Sequence, residues 1–110
     1  MWSIGCIFLE ICNLRAIFNA TEELKMIEMI FKTLGTPNEE IWPGYSQLPY
    51  VQAVKFQEHP PVEDLREDLG IPTELLDDEG YDLLMKFLCY DPKKRILASD
   101  ALEHPYLRGV

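Results

Sequence analysis

Trp2–Leu14 reads WSIGCIFLEICNL, and the fold turns on how that stretch is read. Only Ser3, Glu10 and Asn13 are polar, and on a helical wheel they do not gather into one face. Trp2, Cys6 and Leu9 line one side, Ile4, Phe8 and Ile11 another, with Ile7 and Leu14 between them. A helix apolar nearly all round belongs inside a protein or a membrane. At about 13 residues it is short of the roughly 20 that span a bilayer, so the stretch is expected to be a buried central helix. Because it opens the sequence, the chain that covers it is expected to lie outside these residues. A signal peptide is not expected, since no basic segment precedes the apolar run and no A-x-A site follows it.

The 110 residues are one domain's worth or less, with 47% hydrophobic and 26% charged residues, a globular composition. The net charge of −9 argues against nucleic acid and anionic membranes as partners. Many of the acids crowd between Glu58 and Asp82, offset there only by Arg66, which reads as a solvated surface. Cys6, Cys12 and Cys89 are odd in number and form no C-x-x-C pair. They suit a reducing compartment rather than a disulfide framework or zinc site.

Beyond a polar break at Arg15–Thr21, a second helix is expected over Glu22–Leu34, capped by Thr21. Leu24, Ile27, Phe31 and Leu34 form its apolar stripe, widened by Met26, Met29 and Ile30. Gly35 and Pro37 end it. Residues 35–77 are broken by prolines and glycines and are expected to form a long irregular insert. Helical turns are expected at Asn38–Trp42 and near Val62–Leu69, and Trp42, Tyr45, Tyr50 and Phe56 should pin the insert to the helices. A third helix is expected over Glu79–Leu88, capped by Asp77 or Asp78, with Leu83, Leu84, Phe87 and Leu88 buried. A last helix, Ala98–Glu103, closes at His104-Pro105. No strand is expected. The fold class is all-α, with four main helices and the insert.

Chemistry is hard to find. No G-x-G-x-x-G, G-x-x-x-x-G-K-[ST] or H-E-x-x-H occurs. His59 and His104 both precede proline, which suits turns. Ser3 and Ser99 have no histidine nearby in sequence. Pairs such as Asp77-Asp78 lie in an exposed run, whereas tuned carboxylates need burial or a partner.

Several motifs, in order, do resemble one family. Met1-Trp2-Ser3-Ile4-Gly5-Cys6-Ile7 resembles the central helix of a protein kinase's C-terminal lobe, D-x-W-S-x-G-C-I-x-x-E. Leu34-Gly35-Thr36-Pro37 followed by Ile41-Trp42-Pro43-Gly44 is similar to the cyclin-dependent branch. Tyr90-Asp91-Pro92 with Arg95, then Ala98 and His104-Pro105-Tyr106, resembles the final helices of that lobe. Gly44-Tyr45-Ser46, Leu48-Pro49 and Phe56-x-Glu58-His59-Pro60 are most similar to the PITSLRE kinases.

The resemblance covers essentially the whole chain. It implies a partial kinase domain over residues 1–110, from the central to the last helix of the large lobe, with 35–77 as an insert. The glycine-rich loop, β3 lysine, H-R-D, D-F-G and A-P-E motifs that carry phosphoryl transfer are not in these residues. The chain alone is therefore expected to be inactive, with no catalytic, cofactor or metal residue of its own. ATP and Mg²⁺ belong to the full-length parent. The parent would phosphorylate protein Ser/Thr in the nucleus or cytoplasm, with a cyclin and a small regulatory subunit as partners besides the missing N-terminal part.

By the same resemblance Trp2, Ser3, Gly5, Asp91 and Arg95 are structural. Gly35, Thr36, Pro37, Trp42, Pro43, Gly44 and Tyr45 are partner-docking candidates. Arg95 matches the arginine that pairs with the A-P-E glutamate. A buried charge without its partner costs on the order of 3–5 kcal/mol, so Arg95 is expected to turn to solvent or find an acid. Asn19-Ala20 replaces the usual Pro-Gly, Leu97 replaces a Ser/Thr cap, and the F-P-K-W segment of cell-cycle members does not occur. Two other readings stand beside this one: a truncated, non-enzymatic module that binds regulatory partners, and an unrelated acidic helical interaction domain.

Overall fold

The computed structural model describes residues 1–13 and 22–108. The Arg15–Thr21 break, the Thr21 cap, the Asn19-Ala20 turn and Leu14 lie outside them. Among the described residues the fold is all-α. The helices are α1 Trp2–Asn13, α2 Glu23–Leu34, α3 Pro49–Ala53, α4 Leu65–Leu69, α5 Asp78–Phe87, α6 Ala98–Leu102 and α7 Pro105–Arg108, with a 3-10 turn at Tyr45–Gln47. Two compact units form, one from α1 with the chain from Arg66 onward, the other ending at Leu65.

In the first unit α1 packs along α5. The expected stripe of α5 is the core: Leu83, Leu84, Phe87 and Leu88 are all buried, with Leu9 of α1 and Leu76. Asp77 caps α5, its Oδ1 accepting the Gly80 N–H at 2.8 Å, and Asp78 and Glu79 sit favourably in the first turn. Arg66, which the sequence offered only as a lone cation among acids, ties α4 to this helix start. It meets Asp78 at 2.9 Å, donates to the Leu76 carbonyl at 3.2 Å and lies over the Tyr81 ring.

The central helix is not buried all round. Gly5, Leu9 and Cys12 face inward, while Ile4, Ile7 and Ile11 are 48%, 57% and 67% exposed. Their spacing of three and four puts them on one stripe. The apolar composition is thus split between a packed face and an open one. The three cysteines are free. Burial pushes the Cys12 thiol up, and burial with the Glu10 charge does the same to Cys6, which leaves both less nucleophilic than an ordinary thiol.

α7 is a helix the sequence did not suggest. Pro105 was expected to close the chain's last helix, but proline is tolerated in a helix's first turn. His104 stands before it as the cap, its ring Nδ1 accepting the Tyr106 N–H at 3.1 Å. Leu97 precedes α6 without a side-chain cap, as expected.

In the second unit α2 buries Phe31 and Leu34 and leaves Leu24 38% exposed. Phe31 is the hub of an aromatic group, with Tyr45 and Phe56 edge-on at centroid distances of 6.2 and 5.3 Å, a favoured geometry. Tyr50 is 45% exposed, so it tethers from the rim, its hydroxyl donating to Glu23. α3 and the 3-10 turn add regular structure to the expected insert.

Candidate functional site

Two places gather the residues singled out by sequence. The first, in the first unit, is built by the turn after α5. Asp91 is 5% exposed. Its Oδ1 accepts the Lys93 N–H at 3.0 Å, and its carbonyl accepts the N–H groups of Lys94 and Arg95, each at 3.0 Å. This turn reverses the chain and aims Arg95 back at α1.

Arg95 does not turn to solvent. It is half-buried, donating from Nε to the Cys89 carbonyl at 2.8 Å and from a terminal nitrogen to the Tyr90 carbonyl at 3.0 Å. Its guanidinium lies 5.4 Å from the centre of the Trp2 ring, and Trp2 stacks on Tyr90 at 5.8 Å. Main-chain carbonyls and an aromatic face, rather than an acid, take up the charge. A planar, weakly hydrated guanidinium suits that seat.

Replacing Arg95 by methionine keeps the stem and removes the charge and donors. We expect a loss of about 1.5–3 kcal/mol in urea denaturation, and a loss below about 0.5 kcal/mol would show that the contacts are incidental.

Gly5 is buried where α1 meets α5, whereas Ser3 lies on the exposed face. The structure therefore brings together Trp2, Asp91 and Arg95 around Tyr90, sets Gly5 at the helix contact, and leaves Ser3 apart.

The second place is the turn that follows α2. Gly35 has φ +101° and its N–H donates to the Phe31 carbonyl. The Thr36 hydroxyl accepts the His59 N–H at 2.8 Å and donates to the Gln57 carbonyl at 3.0 Å, while the Thr36 N–H donates to the His59 carbonyl at 3.0 Å. The Gly35-Thr36-Pro37 step is thereby fastened to residues 57–62.

Beyond it, the expected turn at Asn38–Trp42 is present, with the Trp42 N–H on the Asn38 carbonyl at 2.8 Å and the Ile41 N–H on Asn38 Oδ1 at 2.9 Å. Glu39 then spans the loop, accepting the N–H groups of Gly44 at 3.0 Å and Ser46 at 2.5 Å. Those bonds, Ser46 first, hold its carboxyl below the usual range. Of the docking candidates, Gly35, Pro37 and Tyr45 are buried, Thr36 and Trp42 are half-buried, and Pro43 and Gly44 are exposed beside Ile41.

Sequence reasoning passed over a third constellation, on α5 and at the residue just before α7. His104 Nε2 lies 2.7 Å from Asp82 Oδ2, and Lys86 Nζ reaches the same oxygen at 2.5 Å. The signal was faint, an i, i+4 Asp–Lys pair and a histidine before proline. The His104 bond, then the Lys86 bond, lowers the Asp82 pKa. A carboxyl depressed in the folded state contributes stability above its unfolded value, here near 3.8, and loses it as pH falls through the folded value. Wild-type melting should therefore drop more steeply than that of Asp82→Asn between pH 4 and 2, and parallel curves would deny Asp82 that role.

Among the described residues no group of three or more His, Cys, Asp or Glu side chains is placed to hold a metal ion, and no helix is long and apolar enough to cross a membrane. Among the described residues the architecture is all-α, and Trp2, Tyr90 and Arg95 are in mutual contact within the first unit.

Residues 1–107 match the protein kinase domain family, and the chain belongs to that family. Within it the chain is of the cyclin-dependent type and most like the PITSLRE branch. It is 49% identical over 108 residues to human cyclin-dependent kinase 11A, a match covering 98% of this chain and 13% of that protein. It is 47% identical over 106 residues to Arabidopsis thaliana cyclin-dependent kinase B2-2, covering 96% of this chain and 31% of the relative. Cyclin-dependent kinase G-2 of Oryza sativa subsp. indica is 43% identical over 114 residues, with 100% and 16% covered. The chain thus spans less than a third of the length of each relative.

Proposed function

We propose that these residues form the C-terminal-lobe scaffold of a cyclin-dependent-type protein serine/threonine kinase and do not transfer phosphoryl groups by themselves. The observation that carries this reading is the kinase-domain match over residues 1–107 in a sequence with none of the motifs that cradle ATP or orient its γ-phosphate. In the whole protein, ATP, Mg²⁺, a protein substrate and a cyclin would complete the machinery, and the nucleus or cytoplasm is where it would act. The test is radiolabelled ATP–Mg²⁺ with the purified chain and a generic Ser/Thr protein substrate. Incorporation at the no-enzyme level is expected, and turnover above it that survives repurification would overturn the reading.

A second role, docking of a small regulatory subunit, rests on the loop that Glu39 holds in shape and on the exposure of Ile41, Pro43 and Gly44 around half-buried Trp42. Trp42→Ala should weaken binding of such a subunit at least tenfold in titration calorimetry. Equal affinity would remove this role.

A further inference from the structure

We propose that Ser46 is a phosphoacceptor, and that a phosphoryl group placed on it by a protein serine kinase opens the loop that Glu39 closes. Ser46 is exposed on the 3-10 turn that follows Gly44, so an enzyme can reach its hydroxyl. Its N–H donates to Glu39 Oε2 at 2.5 Å, and the Gly44 N–H donates to Oε1 at 3.0 Å. The Ser46 side chain adds a bond to the same carboxylate. The hydroxyl thus stands at the point where one side chain closes the loop.

The reaction moves the γ-phosphoryl group of ATP. The bond from phosphorus to the ADP oxygen breaks, a bond to Ser46 Oγ forms, and the hydroxyl proton leaves to the base of the acting kinase. A neutral donor to Glu39 thereby becomes a group carrying a charge of about −1.5 to −2 at pH 7, with strong acceptor oxygens. Beside a carboxylate such a group disrupts by like-charge repulsion.

The loop has no means of absorbing that charge. No Lys or Arg occurs between Thr33 and Val54, while Glu39 and Glu40 both do. The bonds from Ser46 and Gly44, without a cation, hold the Glu39 carboxylate. Turning the side chain away does not separate the charges. The carboxylate lies 2.5 Å from Ser46's own nitrogen, and so short a side chain keeps the phosphate within the Debye length of about 8 Å in physiological salt. The phosphate oxygens also compete with Glu39 for that same N–H.

What surrounds the loop is held by other means. Tyr45 is buried, with its ring edge-on to Phe31 at 6.2 Å, and the Thr36 bonds to residues 57 and 59 do not involve Glu39. Opening is therefore confined to Glu39–Ser46, the stretch that exposes Ile41, Pro43 and Gly44. That opening also abolishes docking rests on the docking role proposed above; the opening itself does not.

Phosphopeptide mass spectrometry of the full-length protein, isolated from its own cells with phosphatases inhibited, should find Ser46 modified. A Ser46 peptide recovered only unmodified overturns the assignment. Nuclear magnetic resonance then compares amide exchange in the 110-residue chain with Ser46 unmodified and with Ser46 phosphorylated by synthesis. Gly44 exchange should become at least about fivefold faster, with the Thr36 and His59 amides within about twofold. Unchanged Gly44 exchange overturns the proposal, as does equal acceleration at Thr36 and His59.

Glu39→Gln removes the repelling charge and keeps an acceptor. In that variant phosphorylation should change Gly44 exchange by no more than about twofold, and acceleration as large as in the wild type overturns the proposal. No partner enters these measurements, so they stand or fall apart from the docking role, which Trp42→Ala tests.

Discussion

Gly35→Ala is expected to destabilise the second unit by on the order of 4 kcal/mol. Gly35 ends α2 with φ +101° and ψ +151°, a region essentially reserved for glycine, and holding another residue there costs about 1–3 kcal/mol. An alanine Cβ would also lie 2.7 Å from Pro61 Cα and 2.8 Å from the Pro60 carbonyl oxygen. Both are main-chain atoms in a proline pair, so no side-chain rotation relieves the overlap, and forced overpacking costs about 1–3 kcal/mol more.

Nor can the turn move away freely. The Val62 N–H donates to the Leu34 carbonyl at 3.2 Å, and Thr36 holds residues 57 and 59 with three bonds. Relief at Gly35 would therefore break hydrogen bonds on both sides of it. Folded domains are stable by only about 5–15 kcal/mol, so this one methyl group takes up much of the margin. Hydrogen exchange should show the Thr36, His59 and Val62 amides opening first. An alanine variant with wild-type exchange at those amides would mean that the turn does not hold this geometry.

Length helped but did not alone decide what could be read from the sequence, since the five-residue α4 and α6 were expected too. The twelve residues of α2 and the ten of α5 give apolar periodicity enough turns to register, and Gly35 and Asp77 mark their ends by chemistry that acts within four residues. The five-residue α3 and four-residue α7 offer barely one turn, too few for a stripe. Each starts with a proline, which reads as a breaker along a sequence but fits the first position of a helix.

The site residues divide in the same way. Asp91 and Arg95 were singled out through the resemblance of Tyr90-Asp91-Pro92 with Arg95 to the final helices of a kinase lobe. What Arg95 touches was not legible, since the Trp2 face and the two carbonyls come to it from elements folded back in space. The opening helix was read as a core helix whose cover lies partly outside these residues; that Ile4, Ile7 and Ile11 are its open face was not legible, because composition reports how apolar a stretch is, not which neighbours reach it. His104 was read as a turn residue, and it is one, but its second nitrogen reaches Asp82 across 22 residues, a distance no local pattern reports.

The sharpest test of the scaffold is at Gly5, because there two general rules oppose each other. In an exposed helix interior, glycine to alanine stabilises by about 1 kcal/mol. At Gly5 an added Cβ would stand 2.6 Å from Phe87 Cβ and 3.0 Å from Leu88 Cδ2. The Phe87 atom is fixed to the α5 backbone, so it yields only if α5 shifts against α1, and Phe87 and Leu88 are themselves buried. Overpacking of about 1–3 kcal/mol then outweighs the propensity gain, and Gly5→Ala should come out destabilising by about 1–2 kcal/mol. Gly5→Val adds two more carbons to the same closed space and has a lower helix propensity than alanine, so it should cost about 3 kcal/mol or more.

Ser3→Ala, on the exposed face of the same helix, should change stability by less than about 0.5 kcal/mol and serves as the control. Denaturant midpoints for the three variants would decide the matter. A series that rises from Ser3→Ala through Gly5→Ala to Gly5→Val requires the close α1–α5 contact, because neither helix propensity nor hydrophobicity produces that order. A stabilising Gly5→Ala would mean that the helices stand further apart. The glycine of the W-S-x-G signature would then be free to vary, and its place as scaffold in this chain would be lost.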